Sequence, residues 1–273
     1  MTLPTGSYFT DWPGSVLEVT GDDRIAFLHN MCTADVKQMA VGESREAFFT
    51  NVKGHVLCHA VLHSAEDRVT AVVLADDAAP LAAQLDRYVI REDVTLRANE
   101  GRPALVVGSE NEPGWIPFPL LPEPAWVAPA NAGMADRELA EASRADLDGV
   151  RVAAGWPLGG VDFGEGTLPQ ELSRDARAIS FTKGCYLGQE TIARLDALGH
   201  VNKQMVRVRA IDGAALAAGT ALTVGDKQVG TVTTAAELDD GYAGLAMVRR
   251  EANAAGTKLT TDAGEVVVES LAD

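Results

Sequence analysis

Hydrophobic and polar positions alternate in short runs at the start of the chain. Residues 16–19, "VLEV", alternate with the period of a strand. In the residues that follow, apolar positions recur at steps of three and four, which predicts a helix capped by Asp22 or Asp23. The chain is therefore expected to begin with a β-then-α unit.

The next hundred residues continue this mixture of strands and helices. The stretch 45–63 predicts two strands on either side of the turn at residues 51–54, "NVKG". A further strand is predicted over residues 68–75 and a helix over residues 79–90. Residues 109–133 hold six of the twelve prolines, which excludes a continuous helix and predicts an extended, loop-rich passage.

After Gly199 the pattern changes to short alternating runs separated by turn signals such as Gly225-Asp226. This spacing is typical of a small antiparallel barrel or sandwich. The fold class predicted from the pattern is α+β, with a separate β domain over residues 200–273.

Composition and charge narrow the function classes. The chain has 273 residues, 47% hydrophobic and 23% charged, as expected of a folded globular protein. A formal net charge of −16 argues against general binding to nucleic acid or to an anionic membrane. No apolar run has membrane-spanning length, and the first residues lack the pattern of a signal peptide, so a cytoplasmic location is expected.

The chain has three cysteines, Cys32, Cys58 and Cys185, an odd number at wide spacing. They form neither a disulfide framework nor a CxxC metal pair, so reduced thiols are expected. Cys185 stands out because it lies in "FTKGCYLGQETIAR", residues 181–194, among glycines and charged residues.

The residues after Cys185 predict a helix over 187–197 that stops at Gly199. The amide groups of a helix N-terminus and the cation of Lys183 both favour the thiolate form of a nearby cysteine. Gly184 and Gly188 would let a ligand approach the backbone closely.

Gln189 and Glu190 supply donors and acceptors suited to a heterocycle. A purely structural alternative is equally compatible with these residues. It is a buried Cys185 in a tight turn, with Glu190 complementing the helix dipole.

Two other site hypotheses are weaker. His55, His59 and His63 are spaced four apart, which on a helix suits zinc. The pattern there favours a strand, on which four residues span about 13 Å, too far for neighbouring histidines to share one ion. A Cys-His hydrolase built from Cys185 and His200 lacks any local oxyanion hole.

The motif "KGCYLGQE", residues 183–190, resembles the K-G-C-[FY]-x-G-Q-E signature of the folate-binding YgfZ proteins, which are relatives of the glycine-cleavage T-protein. Blocks in the expected order support the resemblance over nearly the whole chain. They are "FLHNMCTADV" (27–36), "AFFTNVKGHVL" (47–57), "LDRYVIREDV" (85–94), "GVRVAAGWPLGGVDFGEGTLPQE" (149–171) and "GHVNK" (199–203).

The resemblance implies a GcvT/YgfZ-like ring of ferredoxin-like α+β modules around a cavity, with a C-terminal antiparallel β-barrel. The implied domains are an N-terminal folate-binding region (1–135), a segment carrying the motif (136–199) and the barrel (200–273). The implied ligand is tetrahydrofolate or a derivative. The implied role is iron–sulfur cluster assembly or repair, with support of tRNA-modifying radical enzymes. Partners would be iron–sulfur client or assembly proteins, with no stable nucleic-acid or membrane binding.

The resemblance also assigns residues. Cys185 is implied as the key thiol and Lys183 as its electrostatic activator. The implied folate-binding residues are Asn51, Gly184, Tyr186, Gly188, Gln189 and Glu190.

Departures from the T-protein pattern disfavour the alternative, a tetrahydrofolate-dependent aminomethyltransferase. T-proteins resemble one another in an acidic pair where this chain has Cys58-His59, and in a glutamate where it has Ala153. Without these acids the usual general acid–base assistance is missing. Leu198 stands where the YgfZ pattern usually has an arginine. A third hypothesis is a scaffold protein that has kept the fold and lost the ligand.

Overall fold

A computed structural model describes residues 6–12, 14–74, 77–99, 101–211 and 213–271. The strands before residue 142 are β1 (Tyr8–Asp11), β2 (Val16–Thr20), β3 (Ser44–Thr50), β4 (Val56–Ser64), β5 (Arg68–Val73), β6 (Thr95–Ala98), β7 (Ala104–Val107), β8 (Ile116–Pro117), β9 (Ala125–Ala128) and β10 (Ala140–Glu141). The later strands are β11 (Lys203–Ala210), β12 (Ala221–Val224), β13 (Lys227–Leu238), β14 (Gly241–Arg249), β15 (Lys258–Thr260) and β16 (Glu265–Glu269).

The α-helices are α1 (Arg24–Met31), α2 (Ala79–Asp86), α3 (Arg144–Ala154), α4 (Asp175–Ala178) and α5 (Gln189–Leu198). Short 3-10 turns occupy Val36–Gln38, Met134–Asp136, Pro169–Leu172 and Arg250–Ala252. No helix in these described ranges is long and apolar enough to cross a lipid bilayer.

The first sheet is antiparallel, with strand order β3-β4-β5-β2-β6. One of its faces carries small and aliphatic side chains such as Leu17, Ala60 and Ala71, which are fully buried with residues of α1 and α2. Because side chains alternate along a strand, the other face carries Glu46, Phe48 and the residues cross-strand from them. That second face is directed toward the rest of the molecule.

A second sheet has the order β10-β1-β7-β9-β8, and only its β1–β10 pairing is parallel. Its core is aromatic: the rings of Trp12 and Trp156 stack at 5.3 Å, and Phe118 meets both edge-on. Val61 and Val72 of the first sheet belong to the same core. The two sheets are thus joined by a continuous apolar interior.

The six strands β11 to β16 form a closed barrel. Its interior is a separate cluster of aliphatic residues that includes Val208, Leu222 and Val268. A closed barrel has no free sheet edge, so this module presents no unpaired strand for edge-to-edge association. The predicted α+β class and the C-terminal antiparallel β-barrel are confirmed.

Most predicted elements are present, with three corrections. Helix α2 ends at Asp86 and not at residue 90, because the chain turns there to bring β6 beside β2. Strand β9 lies within the proline-rich passage, and the short strand β15 was not predicted. The end of the predicted strand at Ala75 lies outside the described residues.

Candidate functional site

The segment that carries the motif is fastened to the end of α1 by Lys183. Its Nζ donates hydrogen bonds to the backbone oxygens of His29 at 2.5 Å, Cys32 at 2.8 Å and Ala34 at 2.6 Å. Carbonyls at a helix C-terminus lack helical partners and carry partial negative charge, so an ammonium group satisfies them well. The three donors of Lys183 are therefore all engaged, and no hydrogen bond of the described residues joins Lys183 to Cys185.

Backbone contacts reinforce this attachment. Leu187 N donates to Asn30 O at 2.9 Å, and Ser180 N donates to Thr33 O at 2.9 Å. The Thr33 hydroxyl donates to Ala178 O at 2.6 Å. The loop of residues 178–190 is thus held at both of its ends against the first sheet's module.

Gly188 begins helix α5 in close contact with the turn after β3. Its φ is +83°, and a Cβ at this position would lie 2.4 Å from the backbone oxygen of Asn51. The side-chain oxygen of Asn51 accepts hydrogen bonds from Lys53 N at 2.9 Å and His55 N at 3.1 Å. Gln189 accepts from Tyr186 N at 2.8 Å. Asn51, Gly188 and Gln189 therefore have packing and turn-forming contacts, and their folate-binding roles stay predictions.

The apex of the loop is open. Cys185 and Glu190 are exposed, and the structural alternative of a buried Cys185 is wrong. A Cβ at Gly184 would meet only His29 Nε2, at 3.9 Å. Tyr186 is half-buried, with its ring 5.0 Å from Lys183 Nζ, and burial raises the pKa of its hydroxyl to about 12. The accessible part of the motif is thus Gly184 to Tyr186 together with Glu190.

The other two thiols are shielded. Cys32 and Cys58 both lie in the core between the first sheet and its helices. Burial raises the pKa of Cys32 to about 11 and that of Cys58 to about 12. Since the thiolate is the reactive form of cysteine, neither is suited to chemistry at neutral pH.

A buried charged cluster lies on the inner face of the first sheet. Arg174 donates to both carboxylate oxygens of Glu46, from Nε at 2.7 Å and from Nη2 at 2.6 Å. His59 Nε2 lies 2.7 Å from Glu46 Oε1, and its ring packs against Phe48 with centroids 4.7 Å apart. All three charged or titratable side chains are at most 3% exposed.

Burial alone would raise the pKa of Glu46, but hydrogen bonds from His59 and Arg174 outweigh it and lower the pKa to about 2. This carboxylate is ionised and fully paired, so it is not available as a general acid or base. This cluster was not predicted from the sequence. The available signal was an acid at an inward-facing position of an otherwise apolar strand.

The contacts of the other histidines among the described residues support neither the zinc site nor the Cys-His pair. His59 and His63 lie on strand β4, as predicted, and His63 Nδ1 is 3.0 Å from the hydroxyl of Ser44. His200 is exposed, and its Nδ1 lies 2.9 Å from Leu198 O. Within the described ranges, no hydrogen bond links His200 to Cys185.

Cys58, His59 and Ala153 stand at the positions where the T-protein pattern has acids, so these positions carry no carboxylate in this chain. Ala153 is on α3 and packs against the core that also contains Phe48 and Leu172. Its backbone oxygen accepts a hydrogen bond from Arg207 Nη1 at 2.9 Å. Around Phe48, the inner face is therefore a packed apolar region that contains one neutralised acid, Glu46.

The fold and this site define the class of protein. The structure superposes on the crystal structure of the glycine cleavage system aminomethyltransferase T from Bartonella henselae with a TM-score of 0.81, covering 99% of this chain and 86% of that one at 16% identity. Residues 202–271 match the family described as CAF17, C-terminal beta-barrel domain. The fold is that of the GcvT-like proteins.

Sequence comparison identifies nearer relatives. The iron-sulfur cluster assembly factor IBA57, mitochondrial, from Homo sapiens is 28% identical over 240 residues, which are 72% of this chain and 65% of the human protein. The tRNA-modifying protein YgfZ from Sodalis glossinidius is 24% identical over 272 residues, covering 85% and 80% of the two chains. YgfZ from Aliivibrio fischeri is 40% identical over 80 residues, only 25% of its length. The chain is a homologue of the IBA57 and YgfZ proteins within the GcvT-like family.

Proposed function

We propose that this protein acts in iron–sulfur cluster assembly or repair, binds a reduced folate and uses Cys185 as its key thiol. The observation that carries the proposal is the contrast among the cysteines. Cys185 alone of the three is exposed, and it lies on a loop that Lys183 and Gly188 hold in place. The names of the relatives connect the family with iron–sulfur cluster assembly and tRNA modification.

The chemistry expected of Cys185 is limited by its isolation. Iron–sulfur clusters are usually held by four thiolates, so a single cysteine contacts cluster iron only transiently or together with ligands from a partner. The cluster is therefore cargo, and the partners are client or assembly proteins that carry the remaining ligands. Support of radical enzymes that modify tRNA would pass through such clients, without stable binding of tRNA to this acidic chain. A cytoplasmic location is part of the proposal, although the human relative is named mitochondrial.

Tetrahydrofolate or a derivative fits the open part of the loop in three respects. Gly184 leaves room for a ring to approach the backbone, and the half-buried ring of Tyr186 offers a flat surface. The exposed carboxylate of Glu190 accepts hydrogen bonds from the N–H groups of a pterin. In this proposal Asn51, Gly188 and Gln189 shape the wall by fixing the loop.

The paired state of Glu46 argues against aminomethyl transfer. The inner face has one acid near the positions that T-proteins use, and its two oxygens are occupied by Arg174 and His59. Removing it from Arg174 to serve in proton transfer would leave a buried guanidinium unpaired, which is costly. A turnover assay with lipoyl carrier protein and tetrahydrofolate is expected to give no product, and robust product would reverse this conclusion.

Complementation tests the role of the thiol. In a strain that lacks the homologous factor, Cys185→Ala is expected to abolish recovery of iron–sulfur-dependent tRNA modification, because the variant lacks the only accessible thiol. Thr182→Ala, an exposed change in the same loop, is the matched control and should restore modification fully. The melting temperatures of both variants should equal that of the native protein. Full rescue by Cys185→Ala would overturn the proposed role.

A further inference from the structure

His29 lies beside the loop that carries Cys185, and one of its ring nitrogens is directed at the apex of that loop. The residue belongs to α1 and is only 5% exposed. Its Nε2 lies 3.9 Å from the point where a Cβ at Gly184 would be, and no other described atom outside the chain neighbours of Gly184 is within 4 Å of that point. The next residue is Cys185, whose thiol is exposed at the same apex. A buried imidazole and an exposed thiol are thus neighbours at Gly184.

Asp35 fixes the orientation of this imidazole. Its Oδ1 lies 3.3 Å from His29 Nδ1, and both atoms are enclosed by protein. Because an ionised carboxylate only accepts hydrogen bonds, it favours the tautomer with the proton on Nδ1 and a lone pair on Nε2. A carboxylate behind one ring nitrogen is the usual arrangement of a histidine that binds a metal through its other nitrogen.

The lone pair of Nε2 is available at neutral pH. Burial lowers the pKa of His29, and the ammonium of Lys183 lowers it further, against a smaller opposite effect of Asp35. The ring is therefore neutral at pH 7. Among the described residues, the only polar contact of the ring is the one with Asp35. Nε2 consequently faces the apex of the loop with an unused acceptor site.

An imidazole nitrogen and a thiolate sulfur together suit transition metals such as iron, cobalt and zinc. The exposed side chain of Cys185 is free to adopt the rotamer that brings its sulfur to an ion bound at Nε2. Two ligands do not complete a tetrahedral site, which takes four. Within the described ranges, no group of three or more His, Cys, Asp or Glu side chains is arranged to hold a metal. The remaining positions must therefore be filled by water or by a second molecule.

We propose that His29 and Cys185 form one half of a transition-metal site, which ligands from a second molecule complete. Nε2 of His29 and the thiolate of Cys185 bind the ion, and the proton of the thiol goes to solvent as the metal–sulfur bond forms. Asp35 is a positioning residue that holds the imidazole through Nδ1. The inference deepens the proposed function and rests on it for the identity of the ion, an iron of the transferred cluster.

Titration with cobalt(II) tests the half-site, because binding of cobalt to a thiolate produces a charge-transfer absorption band. The full-length protein, reduced and kept free of oxygen, is expected to develop a saturable band that Cys185→Ser abolishes. Asp35→Asn should weaken cobalt binding by about tenfold, because both ligands remain but the ring is oriented less well. His29→Gln should weaken it by at least the same factor, because a direct ligand is lost.

His200→Gln is the matched control. It removes an exposed imidazole that contacts Leu198 O, and it should leave the affinity for cobalt unchanged. Melting temperatures equal to that of the native protein identify the variants that are folded. The half-site is overturned if no thiolate band appears at millimolar cobalt. It is also overturned if neither His29→Gln nor Asp35→Asn weakens binding.

Complementation distinguishes a failure of the half-site from a failure of the proposed function. If Cys185→Ala does not restore tRNA modification and cobalt binding is insensitive to His29, the proposed function stands and the half-site falls. If Cys185→Ala restores modification fully while cobalt binding depends on both His29 and Cys185, the half-site stands and the proposed function falls.

Discussion

Glu46 illustrates how a single residue fixes the chemistry of the inner face. Its carboxylate meets Arg174 from the segment after Leu172 and His59 from the neighbouring strand. In a low-dielectric interior, a fully hydrogen-bonded ion pair holds its partners in one geometry. If one partner is lost, the other remains buried as an uncompensated charge. The residue is therefore a structural acid that links the first sheet to the segment leading into the motif.

The depressed pKa of Glu46 predicts a pH dependence of stability. The folded-state pKa is about 2, below that of an unfolded glutamate at about 4.3. This group's contribution is therefore fully present above pH 4.3 and is lost as the pH falls toward 2. Urea unfolding at pH 7 and pH 3 should show a decrease in the free energy of unfolding that is smaller in Glu46→Gln.

At pH 7, Glu46→Gln should itself be less stable by about 3 kcal/mol, because Arg174 then lacks a counter-charge. The control is Arg177→Gln. Arg177 lies three positions after Arg174 but is exposed, so its loss should change the free energy of unfolding by less than about 0.5 kcal/mol. An acid-induced loss of stability equal in the native protein and Glu46→Gln would contradict the assignment.

At the residue scale, the sequence singled out the motif loop but not this cluster, for a physical reason. Cys185 could be named as a candidate because its neighbours form a contiguous motif. Glu46 and Arg174 are 128 positions apart, and only the packing of two modules brings them together. Lys183 was predicted to act on the thiol, but its position relative to the α1 carbonyls depends on tertiary structure that a local pattern does not contain.

At the start of helix α5, the backbone of Gly188 lies in close contact with the backbone of the turn between β3 and β4. Gly188 and Gly54 approach each other so closely that a Cβ on Gly188 would be 2.9 Å from Gly54 Cα. The Thr50 hydroxyl donates to Leu187 O at 2.6 Å in the same contact. The motif's second glycine is thus required for packing of the helix start on the β3–β4 turn.

Two glycines of α5 give a matched comparison. Gly188 and Gly199 flank the helix with φ of +83° and +68°, but only Gly188 is crowded by other atoms. Gly199→Ala should lower the free energy of unfolding by about 1 kcal/mol, because alanine is strained in the left-handed backbone conformation. Gly188→Ala should lower it by more than about 3 kcal/mol, because a clash with Asn51 O is added to that strain. Equal losses of stability in the two variants, measured by thermal unfolding, would show that the close contact at Gly188 does not stabilise the fold.

At the scale of elements, periodicity predicted strands well where alternation was clear. The barrel strands β11, β13 and β14 fall where alternating runs were expected. Strand β15 has three residues and β8 has two, too short to produce a period. Strand β9 was hidden among prolines, which lie at its margins rather than within it.

The barrel is joined to the rest of the molecule by a second buried ion pair. Arg151 of α3 donates to Asp162 at 2.6 Å, and both side chains are fully buried. The other carboxylate oxygen of Asp162 accepts from the hydroxyls of Thr233 at 2.7 Å and Thr234 at 2.6 Å on β13. One carboxylate thus connects α3, the loop after it and the barrel wall.

Asp162→Asn should loosen this junction and destabilise the protein by about 2 kcal/mol, because the buried Arg151 then keeps the partly exposed Asp148, at 2.9 Å, as its remaining counter-charge among the described residues. Cleavage between α5 and β11 by a protease at low concentration should become faster, as the barrel separates from its neighbours. The control is Asp240→Asn, which breaks an exposed pair with Arg209 and should cost less than about 0.5 kcal/mol. Unchanged cleavage in a destabilised Asp162→Asn would contradict the junction role.

Because Cys32 and Cys58 are buried, the native molecule has a single cysteine that a thiol reagent can reach, Cys185. A maleimide at neutral pH should attach to Cys185 alone, since the other thiols are inaccessible and un-ionised. A fluorophore or spin label can therefore be placed at the apex of the motif loop without mutagenesis. Its signal would report the approach of a client protein to that loop directly, in an otherwise unmodified chain.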